Sequence, residues 1–387
     1  MAPHHLAAPE GWIVSTVEKE CSIDNQLRLP LSEDERKEMQ GIYPYYGPTK
    51  AVDFIDHYRV EGRYALIGED GDHFLKYASQ DMTLLVEGQF NVNNHAHLVR
   101  GNGRCTTEWF YTYFRRQGLT PYLTRQGAGR YKLNKATLEG LPMLIPPVQE
   151  QIEIFRIISE WDSAIDLTDR LITEKRVLRK GLIQQLLTGK RRLFGFTGKW
   201  RTCKFSEFLT ESRRQGSDGA TARKLTVKLY AKGVLPKEEK TTGSESTQYY
   251  VRRKGQFIYS KLDFLNGAFG IIPDNLDGYE STLDLPAFDV LSGLNIKWLL
   301  YFVSREEFYS QQLGLANGGR KARRVNPKAF LSCKANIPER EEQDSIVAVL
   351  AFADRELELL QAKAAALREQ KIGLMQQLLT GKKRVKV

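Results

Sequence analysis

Residues 145–191 return as residues 337–383 without a single insertion or deletion, and the constant offset of 192 positions makes this chain two copies of one unit. Seventeen of the 47 aligned positions are identical. The heptapeptide Gln184-Gln185-Leu186-Leu187-Thr188-Gly189-Lys190 comes back unchanged from Gln376 to Lys382. Ile145-Pro146 with Glu150-Gln151 comes back as Ile337-Pro338 with Glu342-Gln343. A register kept over that length belongs to one rigid element present twice.

The spacing predicts a helix. In the second copy, apolar residues fall at alternating steps of four and three through Ile346, Leu350, Ala353, Leu357, Leu360, Ala364 and Leu367, then Leu374 and Leu378, with only Lys371 interrupting. The first copy runs Ile154, Ile158, Trp161, Ile165, Thr168, Ile172, Lys175, Arg179, Leu182 and Leu186. Prolines at 146, 147 and 338 suit a helix's first turn, and Glu150 and Glu342 suit its positive end. Thr188-Gly189 and Thr380-Gly381 supply the stop. Helices of some 35 to 40 residues span about 50 to 60 Å at about 1.5 Å per residue. One such stripe alone reads as a packed core helix. Two equal ones in one chain satisfy each other, so a coiled coil is expected, with Lys175, Arg179 and Lys371 either setting its register or snorkelling outward.

With 387 residues and 41% hydrophobic content, the chain has room for two or three domains with real cores. The longest apolar run, residues 346–353, is far too short to cross a bilayer, and a cytoplasmic protein is expected. Cys21, Cys105, Cys203 and Cys333 lack paired spacing, which points to reduced thiols and neither a disulfide framework nor a zinc site. A net charge of +10 indicates an acidic partner, and nucleic acid is the commonest.

Four segments follow from the repeat: a domain over 1–144, a helical spacer over 145–194, a second domain over 195–336, and a second spacer with a basic tail over 337–387. Both domains open on a glycine and a tryptophan, Gly11-Trp12 and Gly198-Lys199-Trp200. They close on Gly127 and Asn134 in the first and Gly319 and Asn326 in the second, and between these ends they disagree. Strand-like runs at 64–67, 82–85 and 256–259, alternating with helical stretches at 108–116 and 296–308, predict an α+β chain of two mixed domains. Common ends with unlike middles imply one scaffold carrying two recognition surfaces.

The I-P-x-x-x-E-Q entries at Ile145 and Ile337, the QQLLTGK exits at Gln184 and Gln376, and the twofold alternation of domain and helix resemble the specificity subunits of Type I restriction-modification systems. The resemblance covers essentially the whole chain. It implies two target recognition domains, each reading one half of a split, asymmetric site in double-stranded DNA. It also implies an antiparallel helical spacer with approximate twofold symmetry that docks two methyltransferase subunits. S-adenosylmethionine and ATP belong, on this resemblance, to partner subunits: the methyltransferases, and a restriction subunit that translocates and cuts DNA. No catalysis would reside in this chain.

Candidate DNA contacts in the first domain are Tyr45, Tyr46, Lys50, Asn91, Asn93, Asn94, His95, Arg125 and Arg130, because amides suit adenine edges and cations suit guanine or phosphate. In the second domain they are Arg253, Lys254, Tyr259, Ser260, Lys261 and Asn266, with Asn317, Arg320, Lys321, Arg323 and Arg324 around a glycine-rich stretch. Arg252 adjoins the first of these clusters, while Lys190 to Arg192 and Lys382 to Arg384 read as helix-end charges. His95 and His97 lack a third metal ligand at suitable spacing. Rival readings are a free-standing DNA-binding scaffold and a DNA-acting enzyme. The second finds no phosphate loop at Gly189-Lys190 or Gly381-Lys382. Glu238-Glu239-Lys240 lacks the upstream Pro-Asp of a nuclease, since Pro273-Asp274 follows it.

Overall fold

The computed structural model describes residues 7–126, 130–238, 243–311, 316–317 and 324–386. The chain divides into two compact units, Met1–Thr168 with Lys363–Val387, and Asp169–Ala362. Each expected spacer is one unbroken helix, Val148–Leu186 and Arg340–Leu379, of 39 and 40 residues. No helix among the described residues is long and apolar enough to cross a membrane.

In each unit the two long helices run antiparallel. In the first unit, Ile154 and Ile158 share a buried cluster with Met375, Leu378 and Leu379, and Asp162 pairs with Lys371. In the second, Leu186 and Leu187 pack with Ile346, Val347 and Leu350, while Lys175 pairs with Glu356 and Arg179 with Asp354. The predicted seam is the buried face. Ile154, Ile158, Ile165, Thr168, Ile172 and Leu186 are buried on one helix, and Ile346, Leu350, Leu357, Ala364, Lys371 and Leu378 on the other. Trp161, Leu182, Leu360, Leu367 and Leu374 are half-buried. Each fully buried Ile or Leu contributes about 1.5–3 kcal/mol. The three seam cations meet carboxylates instead of snorkelling.

The first unit carries a six-stranded sheet. Its strand order is Cys21–Ile23, Ala96–Gly101, Val60–Gly68, Thr83–Val92, Gln40–Tyr46 and Ala51–Ile55. All pairs are antiparallel except Gln40–Tyr46 with Thr83–Val92, which is parallel at Tyr45↔Asn91 and Tyr46↔Val92. Alternate residues of Val60–Gly68 feed two cores: Ala65 and Ile67 lie with the helix Thr107–Phe114, Tyr64 and Leu66 with Phe90 and Leu98. The second unit is built differently. A four-stranded sheet of Leu209–Ser212, Ala287–Val290, Phe257–Tyr259 and Phe269–Ile271 encloses stacked rings, with Phe257 5.5 Å from Phe330 and Tyr259 5.8 Å from Phe288. The single helical stretch expected over 296–308 is two helices, Ile296–Val303 and Glu306–Ser310, broken where Arg305 turns extended at φ −70°, ψ 131°.

Identical fastenings close both units. A short antiparallel pair joins each domain's first strand to its last, Ile13–Thr16 with Pro142–Ile145 and Arg201–Lys204 with Lys334–Ile337. Directly after each last strand, a glutamate in the first turn of the long helix is buried. Glu150 accepts from Trp12 Nε1 at 2.9 Å and from Arg384 at 2.7 and 2.8 Å. Glu342 accepts from Trp200 Nε1 at 3.0 Å and from Arg192 at 2.5 and 2.7 Å. The arginines get there because QQLLTGK stops the helix. Thr188 and Thr380 bond back to the carbonyls of Gln184 and Gln376, both at 2.6 Å. Gly189 and Gly381 then take the left-handed conformation at φ +69° and +68°, which turns the chain back. The neighbouring glutamines bind the domains. Gln151 donates to the carbonyls of Arg104 and Pro146 and accepts from Thr106 N, and Gln343 donates to Gly293 and Pro338 and accepts from Asn295 N.

Replacing Glu150 by Ala leaves the buried Trp12 indole N–H without its acceptor and leaves Arg384 only the Glu10 carbonyl and solvent, so urea unfolding should show a loss of about 1–3 kcal/mol; an unchanged midpoint would mean that the latch does not stabilise the fold. Acid should act in the same sense. Burial alone would raise the Glu150 carboxyl, and burial likewise opposes Asp162. Hydrogen bonds from Arg384 and Trp12, and from Arg115 and Lys371, overcome it and hold both below their ordinary values of 4.5 and 3.8. Their folded pKa values being depressed, the stability they contribute is full above the ordinary values and drains away as pH falls through the folded ones. Thermal melts recorded on acidification below pH 4.5 should therefore show a falling midpoint, with a shallower fall in Glu150→Gln.

Candidate nucleic-acid interface

In the first unit several chain reversals converge on one end of the sheet. After Gln40–Tyr46 the turn closes with Gly47 N donating to Lys50 O at 2.9 Å, and Asn93 N donates to Tyr46 O at 3.0 Å. Glu69 N donates to His95 O at 2.7 Å, and Gly71 N to Tyr131 O at 3.1 Å. The last contact attaches the hairpin Thr124–Gln126 and Arg130–Lys132. Arg28 sits between, donating to Glu69 at 2.6 Å and to the Asn94 carbonyl at 2.9 Å. These bonds place Tyr46, Lys50, Asn93, Asn94, His95 and Arg125 along one rim, with Lys50, Asn94, His95 and Arg125 exposed. His95 Nδ1 lies 2.9 Å from Asp70, and the Arg125 guanidinium lies 4.7 Å over the Tyr131 ring. The Arg130 side chain lies outside the described residues.

Two expected contacts are in the core instead. Tyr45 is fully buried against the segment 29–31 and the Arg36 guanidinium, which lies 5.2 Å over its ring, and its hydroxyl donates to Leu29 O at 2.6 Å and accepts from Leu31 N. Asn91 is fully buried beside it, donating to His57 O at 2.8 Å. Neither side chain reaches solvent. His97 is likewise buried, with Nε2 2.7 Å from Leu133 O and Nδ1 2.9 Å from Arg28, and burial holds it below the ordinary imidazole value. Among the described residues, no group of three His, Cys, Asp or Glu side chains is placed to hold a metal.

A rim also forms in the second unit, at the end of the Phe257–Tyr259 strand. Lys261 donates through its N–H to Asp284 O at 2.9 Å and accepts from Val325 N at 3.1 Å, while Arg324 reaches the Asp284 carboxylate at 3.6 Å. Asn317 pairs with Arg324 through the backbone, and its side chain lies outside the described residues, as do Arg320, Lys321 and Arg323 altogether. Burial pulls the half-buried Lys261 amine below its ordinary value, and Asn266 and Arg324 are exposed. Tyr259 and Ser260, expected on the rim, are buried instead. The Tyr259 ring is stacked in the aromatic core with its hydroxyl on Val325 O, and the Ser260 hydroxyl caps Asp263 N at 3.1 Å. Arg253 and Lys254 stand at the opposite end of the same strand, each facing an aspartate, Asp277 and Asp274. Arg252 is buried, its guanidinium spent on Ser281 and the Ser212 carbonyl.

The sequence reading did not select the turn over residues 228–233. Tyr230 N donates to Asn266 O at 3.0 Å and Ala231 N to Gly267 O at 2.7 Å, so the turn docks on the same rim with Lys228 and Lys232 exposed. Tyr230 and Ala231 have φ of +58° and +51°, which costs a side-chain-bearing residue about 1–2 kcal/mol. A Gly, Asn or Asp pair would have flagged this turn, and Tyr-Ala carries no such signal.

With this geometry in hand, known proteins give a consistent picture. The family model of the Type I restriction modification DNA specificity domain matches residues 9–174. The Haemophilus influenzae type I restriction enzyme specificity subunit S.HindORF215P is 28% identical over 352 residues, covering 85% of this chain and 84% of that protein. The Methanocaldococcus jannaschii MjaVIII specificity subunit is 21% identical, covering 99% of this chain and 95% of its own length. Among solved structures, the S subunit of a Type I restriction-modification system from M. genitalium has a TM-score of 0.59 over 98% of each chain at 12% identity. The HsdS subunit from Thermoanaerobacter tengcongensis has 0.55, over 98% of this chain and 100% of its own, at 15% identity. The solved structures share the fold, the curated relatives match along most of the chain, and residues 9–174 match the DNA specificity domain, so this chain is similar throughout to the specificity subunits of Type I restriction-modification systems.

Proposed function

We propose that this chain is the DNA-reading part of such a system, each unit's rim engaging one half of a split, asymmetric site while the paired helices set the gap between the halves. One observation carries the reading: the same Trp-Glu-Arg latch is built twice and presents two chemically different rims. The first offers amides and an imidazole, and the second lysines, an arginine and an exposed tyrosine. Net charge of +10 suits a polyanion. The remaining site assignments, Tyr46, Lys50, Asn93, Asn94, His95 and Arg125 in one domain and Lys261, Asn266 and Arg324 in the other, are part of this proposal.

The long helices carry a second apolar stripe apart from their seam. Leu167 and Leu359, which are equivalent under the 192-residue offset, are 65% and 54% exposed, and Phe352 and Val177 stand out of the helices as well. Equivalent apolar positions on two helices suit two copies of one partner, which we assign to methyltransferase subunits. Methyl transfer with S-adenosylmethionine, and translocation and cleavage with ATP, then belong to partners, and this chain's part is to position them.

Lys261→Ala with Arg324→Ala should weaken duplex binding and lower the slope of log affinity against log salt by about two, near one unit per phosphate contact. An unaltered slope would take this rim off the DNA. The reading as a whole is tested by mapping methylated adenines in cells that carry the chain with its methyltransferase, where one split, asymmetric motif is expected. A seven-residue insertion after Ile172, matched by one after Leu360, keeps both Asp162 with Lys371 and Arg179 with Asp354 in register. It adds about 10 Å of helix. The mapped motif should then keep both halves and gain about three base pairs of gap, at about 3.4 Å each; a gap of unchanged length excludes the ruler.

A further inference from the structure

Tyr230 and Ala231 are the only non-glycine residues with positive φ among the described residues. They form the centre of a tight turn between the strands Leu225–Val227 and Val234–Pro236, closed by Lys232 N on Leu229 O at 3.3 Å and Lys228 N on Gly233 O at 2.9 Å. Positive φ at both central residues matches the turn to the twist of the strands, and Asn-Gly is the usual solution. Tyrosine is among the least suited residues, since its Cβ crowds the backbone there. Two backbone bonds, to Asn266 O and Gly267 O, hold it in place. Burial of the ring does not recompense the strain, because Tyr230 is 65% exposed. The surroundings are cationic and polar: Lys228 and Lys232 flank it on the turn, and Asn266, to which it is bonded, lies in the loop that begins at Lys261.

An aromatic ring fixed by its own backbone, left in solvent and bracketed by lysines has the makings of a contact waiting for a partner. Strain of this kind persists where surrounding structure enforces it, and it gathers at functional positions. We propose that the Tyr230 ring is a specificity-determining contact of the second recognition domain, entering a groove of duplex DNA to pack on a base or its sugar while Lys228 and Lys232 engage the flanking phosphates. This rests on the reading of that domain as a DNA reader. A rigid ring is suited to the task, since it presents a large apolar face with few torsions to freeze on binding.

The test uses the assembled complex with its methyltransferase partner and duplex oligonucleotides bearing the mapped motif, or the motif with its second-domain half scrambled, titrated at several salt concentrations. Tyr230→Asn relaxes the backbone, because Asn tolerates this conformation, and it removes the ring. It should raise the melting temperature by about 2–4 °C and weaken motif binding roughly tenfold, with the salt slope unchanged and preference for the intact half-site reduced. Tyr230→Phe should bind within about twofold of the parent. Lys228→Ala with Lys232→Ala should instead flatten the salt slope by about two. The proposal is overturned if Tyr230→Asn binds and discriminates like the parent, if its melting temperature falls along with its binding, or if Tyr230→Phe loses as much as Tyr230→Asn. A parent complex that binds all duplexes alike would be a different failure, that of the DNA-reading function itself, and it would be seen before any variant is made.

Discussion

A carboxylate buried at the first turn of each long helix is what the rest of the architecture hangs on. Glu150 and Glu342 are each 1% exposed, and an unpaired charge at such a position would be strongly destabilising. Both are met by a forked guanidinium and an indole N–H, donors whose hydrogen bonds are charge-assisted and directional. The donors come from far along the chain. Residues 12, 150 and 384 meet at one point, and so do 192, 200 and 342. Each latch therefore ties the start of a domain, the start of one long helix and the end of the other. It also explains why the exit heptapeptide is repeated letter for letter: two leucines bury the helix end, a threonine satisfies a carbonyl one turn back, and a glycine reverses the chain so that the arginine arrives.

The helices were legible in the sequence because their cause is local. A seam at alternating steps of three and four is a property of consecutive residues, and every position picked from it is buried or half-buried. What the Glu-Gln pair does was not legible. Its glutamate binds an arginine 234 residues away in one copy and 150 residues back in the other, and its glutamine binds the backbone at the start of a domain helix. Site residues failed for a related reason. Asn91, Asn93 and Asn94 share the amide chemistry that suits adenine edges, so sequence alone ranks them together. The parallel register Tyr45↔Asn91 instead carries two polar side chains into the core, where the His57 and Leu29 carbonyls engage them. Residues on the turns, Lys50, Asn94 and His95, are exposed as turn residues usually are.

The two units differ in sheet order, strand number and rim chemistry, yet each is fixed to its helices in the same places. Beyond the glutamine, an aspartate beside the seam supplies the second attachment. Asp162 takes Lys371 from the partner helix and Arg115 from the end of its domain's helix; Asp354 takes Arg179 from the partner helix and the Tyr301 hydroxyl, at 2.5 Å, from its own domain's helix. A guanidinium and a phenol are chemically unlike, but both donate to a carboxylate at the same station. The frame thus asks little of a domain: a backbone N–H for the glutamine, one donor for the aspartate, a tryptophan for the latch and a strand at each end. Everything past those points is free to differ, which is why two unlike sheets, one amide-rich rim and one lysine-rich rim are carried by a single repeated scaffold. A rim can then change without disturbing the interactions that make the chain fold, because the residues that fasten a domain and the residues on its rim do not overlap.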